Sequence, residues 1–135
     1  MSANKHTYKI LLIDDDADFV AATRTVLESR PEYRVITASD GVFGIPVARA
    51  EKPDLIILDV IMPFEDGFTT AEAINDDPDL SKIPIFMLTN YSKQRGKTDI
   101  PVVQGMQLGA EDYIEKPVDP QELLRRVDRT LKGRA

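Results

Sequence analysis

The sequence has no cysteine and a single histidine, His6. Without thiols there is no disulfide and no thiolate metal site, which fits a reducing compartment. His6 lies in the N-terminal stretch MSANKHTYK, so neither a phosphohistidine nor an imidazole metal ligand is expected from it. Long apolar runs are also missing. The continuous ones are short, such as ILLI and LIIL, against the roughly 18 residues a membrane span needs. The N-terminus has no apolar signal core, so the expected location is cytoplasmic, with no membrane association. Basic charge is in deficit: 17 Lys and Arg against 23 Asp and Glu leave a net charge of −6. That argues against direct binding of nucleic acid, which normally requires a basic face.

What is present is a regular alternation. The 135 residues suffice for one domain with one core, expected over residues 8–132, with tails at 1–7 and 133–135. Tyr8 to Ile13 reads as a buried strand, and Ala17 to Ser29 as a helix with Phe19, Ala22, Val26 and Leu27 on its buried stripe. A second strand is expected over Tyr33 to Ala38. Asp40-Gly41 then opens a helix to about Glu51, which Pro46 is expected to kink or delay. Further strands are predicted at Leu55 to Leu58, Ile85 to Leu88 and Asp112 to Ile114. Helices are predicted near Phe68 to Asn75, near Val102 to Leu108, and from Pro120 to Leu131; MPFEDG reads as a loop. Strands apolar on both faces, alternating with helices, imply a parallel sheet covered on each side.

In such sheets ligands bind beyond the carboxyl ends of the strands. The residues found there are Asp14 and Asp15, Asp59, Thr89 and Lys116. Three carboxylates at one edge call for a cation. Mg²⁺ takes oxygen ligands and is held by one or two carboxylates plus a phosphate. Asp59 is also placed to act as a nucleophile, since carboxylates form aspartyl phosphates. Lys116 and the Thr89 hydroxyl complete a set suited to phosphoryl transfer, which depends on positioning and charge neutralisation.

IDDD, LDVIMP followed by Gly67, MLTN and EKP, in this order, resemble the receiver domain of two-component response regulators, in particular the single-domain chemotaxis-regulator type. The resemblance covers about residues 8 to 131. It implies a flavodoxin-like (βα)5 three-layer sandwich with a central five-stranded parallel sheet in the order 2-1-3-4-5. It further implies that Asp59 accepts a phosphoryl group from a sensor histidine kinase or a histidine phosphotransfer protein. Asp14, Asp15, Asp59 and the backbone carbonyl of Ile61 would hold Mg²⁺. Thr89 and Lys116 would bind the phosphoryl group, and Tyr113 would be the aromatic that changes rotamer on activation. Such a protein is a phosphoacceptor switch rather than an enzyme, promoting only its own phosphotransfer and dephosphorylation. It would act as a monomer or a weak phosphorylation-dependent dimer on a downstream protein target. The resemblance also makes the Lys116–Pro117 peptide cis.

Other readings compete. Asp14, Asp16 and Asp18 spell the opening of a calcium-binding loop, but that loop needs Gly at its sixth position and Glu at its twelfth, where this chain has Phe19 and Thr25. Asp16 and Asp18 suit the start of a helix. Val20 falls off the buried stripe and is expected at the surface, where a kinase or phosphotransfer helix would dock. A receiver-fold interaction module that is never phosphorylated is a further alternative, as is a receiver fragment of a hybrid kinase or multidomain regulator. The chain departs from the family between Thr89 and Tyr113, where extra length falls in the basic loop Asn90 to Asp99. Ile61, Asn90 and Tyr91 are bulky neighbours of the expected phosphoryl group, which points to slow hydrolysis of the phosphoaspartate.

Overall fold

Continuous apolar strands force burial on both faces, and the fold provides it. A computed structural model describes residues 7–59, 61–62, 65–89 and 111–133, with the backbone alone for 61–62 and 65–69. The strands, in chain order, are β1 (Tyr8–Ile13), β2 (Tyr33–Ala38), β3 (Leu55–Asp59), β4 (Ile61–Met62), β5 (Glu65–Asp66), β6 (Ile85–Thr89) and β7 (Asp112–Glu115). The helices are α1 (Ala17–Leu27), α2 (Gly41–Glu51), α3 (Gly67–Asp76) and α4 (Pro120–Lys132). Five strands form one sheet in the order β2-β1-β3-β6-β7, every pair parallel. Counting sheet strands alone, this is the expected order 2-1-3-4-5.

The period-2 alternation of strands sorts the core into two halves. Ile10, Leu12, Leu55, Ile57, Phe86, Leu88 and Ile114 face one side, under α1 and α4. Leu11, Ile13, Ile56, Leu58, Ile85 and Met87 face the other, under α2 and α3. The result is a three-layer α/β sandwich. Among the described residues no helix is long and apolar enough to cross a membrane.

Helix starts follow from local chemistry. Asp16 and Asp40 cap α1 and α2 by accepting from the Phe19 and Phe43 amides, each at 3.1 Å. Asp119 caps α4, with Pro120 in its first turn. Four expectations change. On α1 the buried stripe runs through Thr23, with Phe19, Val20 and Val26 half-buried, while Ala22 is exposed. Val20 therefore packs against the core instead of facing solvent freely; α4 lies across α1 and widens the covered face. Pro46 does not delay α2, which is continuous from Gly41. The Val42 carbonyl, which would otherwise accept from residue 46, belongs to an exposed first turn where water can reach it. Finally, the segment read as a loop after β3 contains a short antiparallel ribbon, β4 with β5. Two-residue strands are too brief to leave a periodic signal. The helix expected near Val102 to Leu108 and the loop Asn90 to Asp99 lie outside the described residues.

Candidate functional site

Register brings the predicted residues to one edge. Ile13 pairs with Leu58 and Asp59 with Leu88, so Asp14, Asp59 and Thr89 leave three adjacent strands at the same level. The Asp14 amide donates to the Ala38 carbonyl (3.1 Å), and the Lys116 amide donates to the Thr89 carbonyl (2.6 Å). These bonds carry the sheet's backbone pairing one step past its strands and anchor both residues. The Lys116–Pro117 peptide is cis.

Strand parity then separates the residues by face. Asp14 continues Ile10 and Leu12, Asp59 continues Leu55 and Ile57, and Lys116 continues Ile114, all on the side under α1 and α4. Thr89 continues Ile85 and Met87 on the other side, where Tyr113 also packs. Tyr113 is paired in register with Met87, and Thr89 with Glu115.

The charged group is tight. Carboxylate oxygens of Asp14, Asp15 and Asp59 lie within 4.8 Å of one another. Asp14 and Asp59 are buried and Asp15 is exposed, so the cluster has a dry floor and an open rim. Lys116 Nζ sits 2.9 Å from Asp14 Oδ2 and 3.5 Å from Asp59 Oδ2. Burial pushes the Lys116 ammonium down, but Asp14 and Asp59 more than offset this and hold it above the ordinary lysine range. The Asp14–Lys116 contact is a buried ion pair.

Three carboxylates and one ammonium leave two negative charges, the charge a divalent cation cancels. The donor set is all oxygen, as Mg²⁺ requires. The residues present therefore fit that ion.

Asp16, third in the acidic run, stays out of this cluster. Its amide donates to Asp14 Oδ1 (2.9 Å) and its carboxylate caps α1. Asp18 is exposed. Tyr113 is half-buried, its hydroxyl has no partner among the described residues, and burial pushes it above the ordinary tyrosine range. Ile61 lies in β4, two residues past Asp59, with only its backbone described; Asn90 and Tyr91 lie outside the described residues. Sequence reasoning assigned Phe19 only to the core stripe. The structure puts its ring 4.5 Å, centroid to Nζ, from the Lys116 ammonium. The available signal was its position one turn into the helix that starts from the acidic run.

Comparison with known proteins bears on the family and the fold. The family model for the response regulator receiver domain matches residues 10–128. The chain is 33% identical over 125 residues to the protein PilH of Pseudomonas aeruginosa, covering 93% of this chain and 98% of PilH. It is 40% identical over 124 residues to the alkaline phosphatase synthesis transcriptional regulatory protein PhoP of Bacillus subtilis, covering 92% of this chain and 48% of PhoP. It thus spans nearly all of PilH but about half of PhoP. Among solved structures, the chemotaxis response regulator CheY4 of Vibrio cholerae superposes with a TM-score of 0.79 at 30% identity, covering 93% of this chain and 99% of CheY4. The chain belongs to the response regulator receiver domain family.

Proposed function

We propose that this receiver accepts a phosphoryl group on Asp59 from a phosphohistidine donor and thereby switches a protein-binding surface. The observation that carries the reading is the cluster of Asp14, Asp15 and Asp59 oxygens at the open edge of the sheet, with Lys116 against two of them. A carboxylate oxygen of Asp59 attacks phosphorus, the P–N bond of the donor breaks, and its electron pair leaves with the imidazole nitrogen. Asp14, Asp15, Asp59 and the Ile61 carbonyl would hold Mg²⁺, which when bound neutralises charge developing on the phosphoryl oxygens. Lys116 supplies the second cation, and its backbone tie to Thr89 keeps it beside Asp59. The Thr89 hydroxyl bonds the transferred group at the strand end. Movement of Thr89 toward it opens room on the face shared with Tyr113, whose ring then shifts and changes the outer surface. The donor is a sensor histidine kinase or a histidine phosphotransfer protein, and the output is a protein target.

The test is direct. Incubate the protein with Mg²⁺ and a small acyl phosphate, then measure intact mass beside Asp59→Asn. Native protein gains one phosphoryl group and the variant gains none; equal gain, or no gain in either, refutes the assignment. The same phosphorylated sample, stripped of donor, measures lifetime. By the resemblance, Ile61, Asn90 and Tyr91 are bulky neighbours of the phosphoryl group, so Ile61→Asn is expected to shorten that lifetime, and an unchanged rate removes Ile61 from the account.

A further inference from the structure

Among the described residues, the Lys116 ammonium contacts three groups: Asp14, Asp59 and the ring of Phe19. Its side chain is only 13% exposed, so little water solvates the charge. Two of these three neighbours are the carboxylates that a divalent cation would take. The ring is the one for which a metal does not compete. An ammonium over an aromatic face is held by the ring quadrupole, more strongly where water is excluded.

The ring is itself fixed to the acidic run. Asp14 Oδ1 accepts the Asp16 amide (2.9 Å), and Asp16 Oδ1 accepts the Phe19 amide (3.1 Å). The same short stretch therefore sets the metal carboxylates, the helix cap and the aromatic platform in one frame. Phe19 also packs against the core under α1 and α4. Apolar packing alone would be met equally by leucine.

We infer that Phe19 is a positioning residue for phosphoryl transfer: its ring holds the Lys116 ammonium over the site when the carboxylates turn to the metal. This rests on the phosphoacceptor reading of Asp59, and the experiment separates the two. The protons of the Lys116 ε-methylene, which is one bond from the ammonium over the ring, are expected to resonate upfield of the other lysines; the signal is assigned by its loss in Lys116→Met. It stays upfield at saturating Mg²⁺ in native protein and in Phe19→Tyr, which keeps the ring face. It returns to the lysine envelope in Phe19→Leu, which keeps apolar bulk. Phosphoryl uptake from a small acyl phosphate is expected to slow by roughly twofold to thirtyfold in Phe19→Leu and to be retained in Phe19→Tyr. An unshifted Lys116 resonance in Mg²⁺-loaded native protein overturns the inference. So does equal slowing in both Phe19 variants, or none in Phe19→Leu. Native protein that takes up no phosphoryl group defeats the Asp59 reading, and with it the role in transfer, while the resonance still reports whether the ring holds the ammonium.

Discussion

Replacing Lys116 with methionine removes the positive charge and keeps much of the side-chain bulk. Asp14 and Asp59 have side chains 0% and 4% exposed and lie 2.9 and 3.5 Å from the ammonium. At an effective dielectric near 20, each contact has a Coulomb energy on the order of 5 kcal/mol before desolvation is counted. The desolvation cost consumes much of this. Removal of one partner from such a buried group nevertheless leaves uncompensated charge, at a cost of about 3–5 kcal/mol. Urea unfolding in the presence of a chelator is expected to show a loss of that size. Mg²⁺ should then reverse it: the variant presents two buried carboxylates without the Lys116 ammonium competing for them. It should bind Mg²⁺ more tightly than native protein and gain about 1.4 kcal/mol for each tenfold of Mg²⁺ above its dissociation constant. A chelated variant within about 1 kcal/mol of native stability would refute the reasoning, as would Mg²⁺ stabilising it no more than the native protein.

Three further outcomes follow from packing and charge elsewhere. The Thr23 hydroxyl is fully buried with no partner among the described residues, so Thr23→Val should stabilise by about 1 kcal/mol; a lower melting temperature would refute this. Gly44 lies inside α2, and an added Cβ would come 2.6 Å from Cδ1 of the fully buried Ile13. Gly44→Ala should therefore lower the urea midpoint, costing roughly 1 kcal/mol or more despite the helix propensity of alanine. Asp128 accepts from the Tyr33 hydroxyl (2.6 Å) and pairs with Arg30 (2.7 Å). Burial raises its carboxyl pKa, but the bonds from Arg30 and Tyr33 prevail and hold it below the ordinary range. A depressed folded pKa gives stability that is present above the unfolded value and lost as pH falls through the folded one. Asp128→Asn should thus cost roughly 1 kcal/mol at neutral pH and show a shrinking deficit below about pH 4. A deficit independent of pH would show that the carboxylate's charge is not what matters.

Much of this was legible because the relevant signals are local. Strand boundaries at Ile13 and near Asp59 show as an abrupt change from apolar to charged residues. Asp16 and Asp40 announce helix starts by their side-chain chemistry. What was not legible depended on a second element. Thr23 is polar and so does not count toward the apolar stripe expected for α1, yet the tertiary fold buries it fully. Pro46 reads as a helix breaker, and only the exposure of the first turn of α2 makes its missing amide harmless. Phe19 reads as a core residue until β7 delivers Lys116 above it.

The sequence by itself determined the layers, the parallel sheet and the carboxyl edge where Asp14, Asp15, Asp59, Thr89 and Lys116 gather. Period and polarity along the chain require no knowledge of neighbours. Tertiary structure alone decided which face each residue serves: Asp14, Asp59 and Lys116 on one side, Thr89 and Tyr113 on the other. It also decided what holds the lysine between the carboxylates. Those outcomes depend on register between strands distant in the chain, where a shift of one residue would send each side chain to the opposite face.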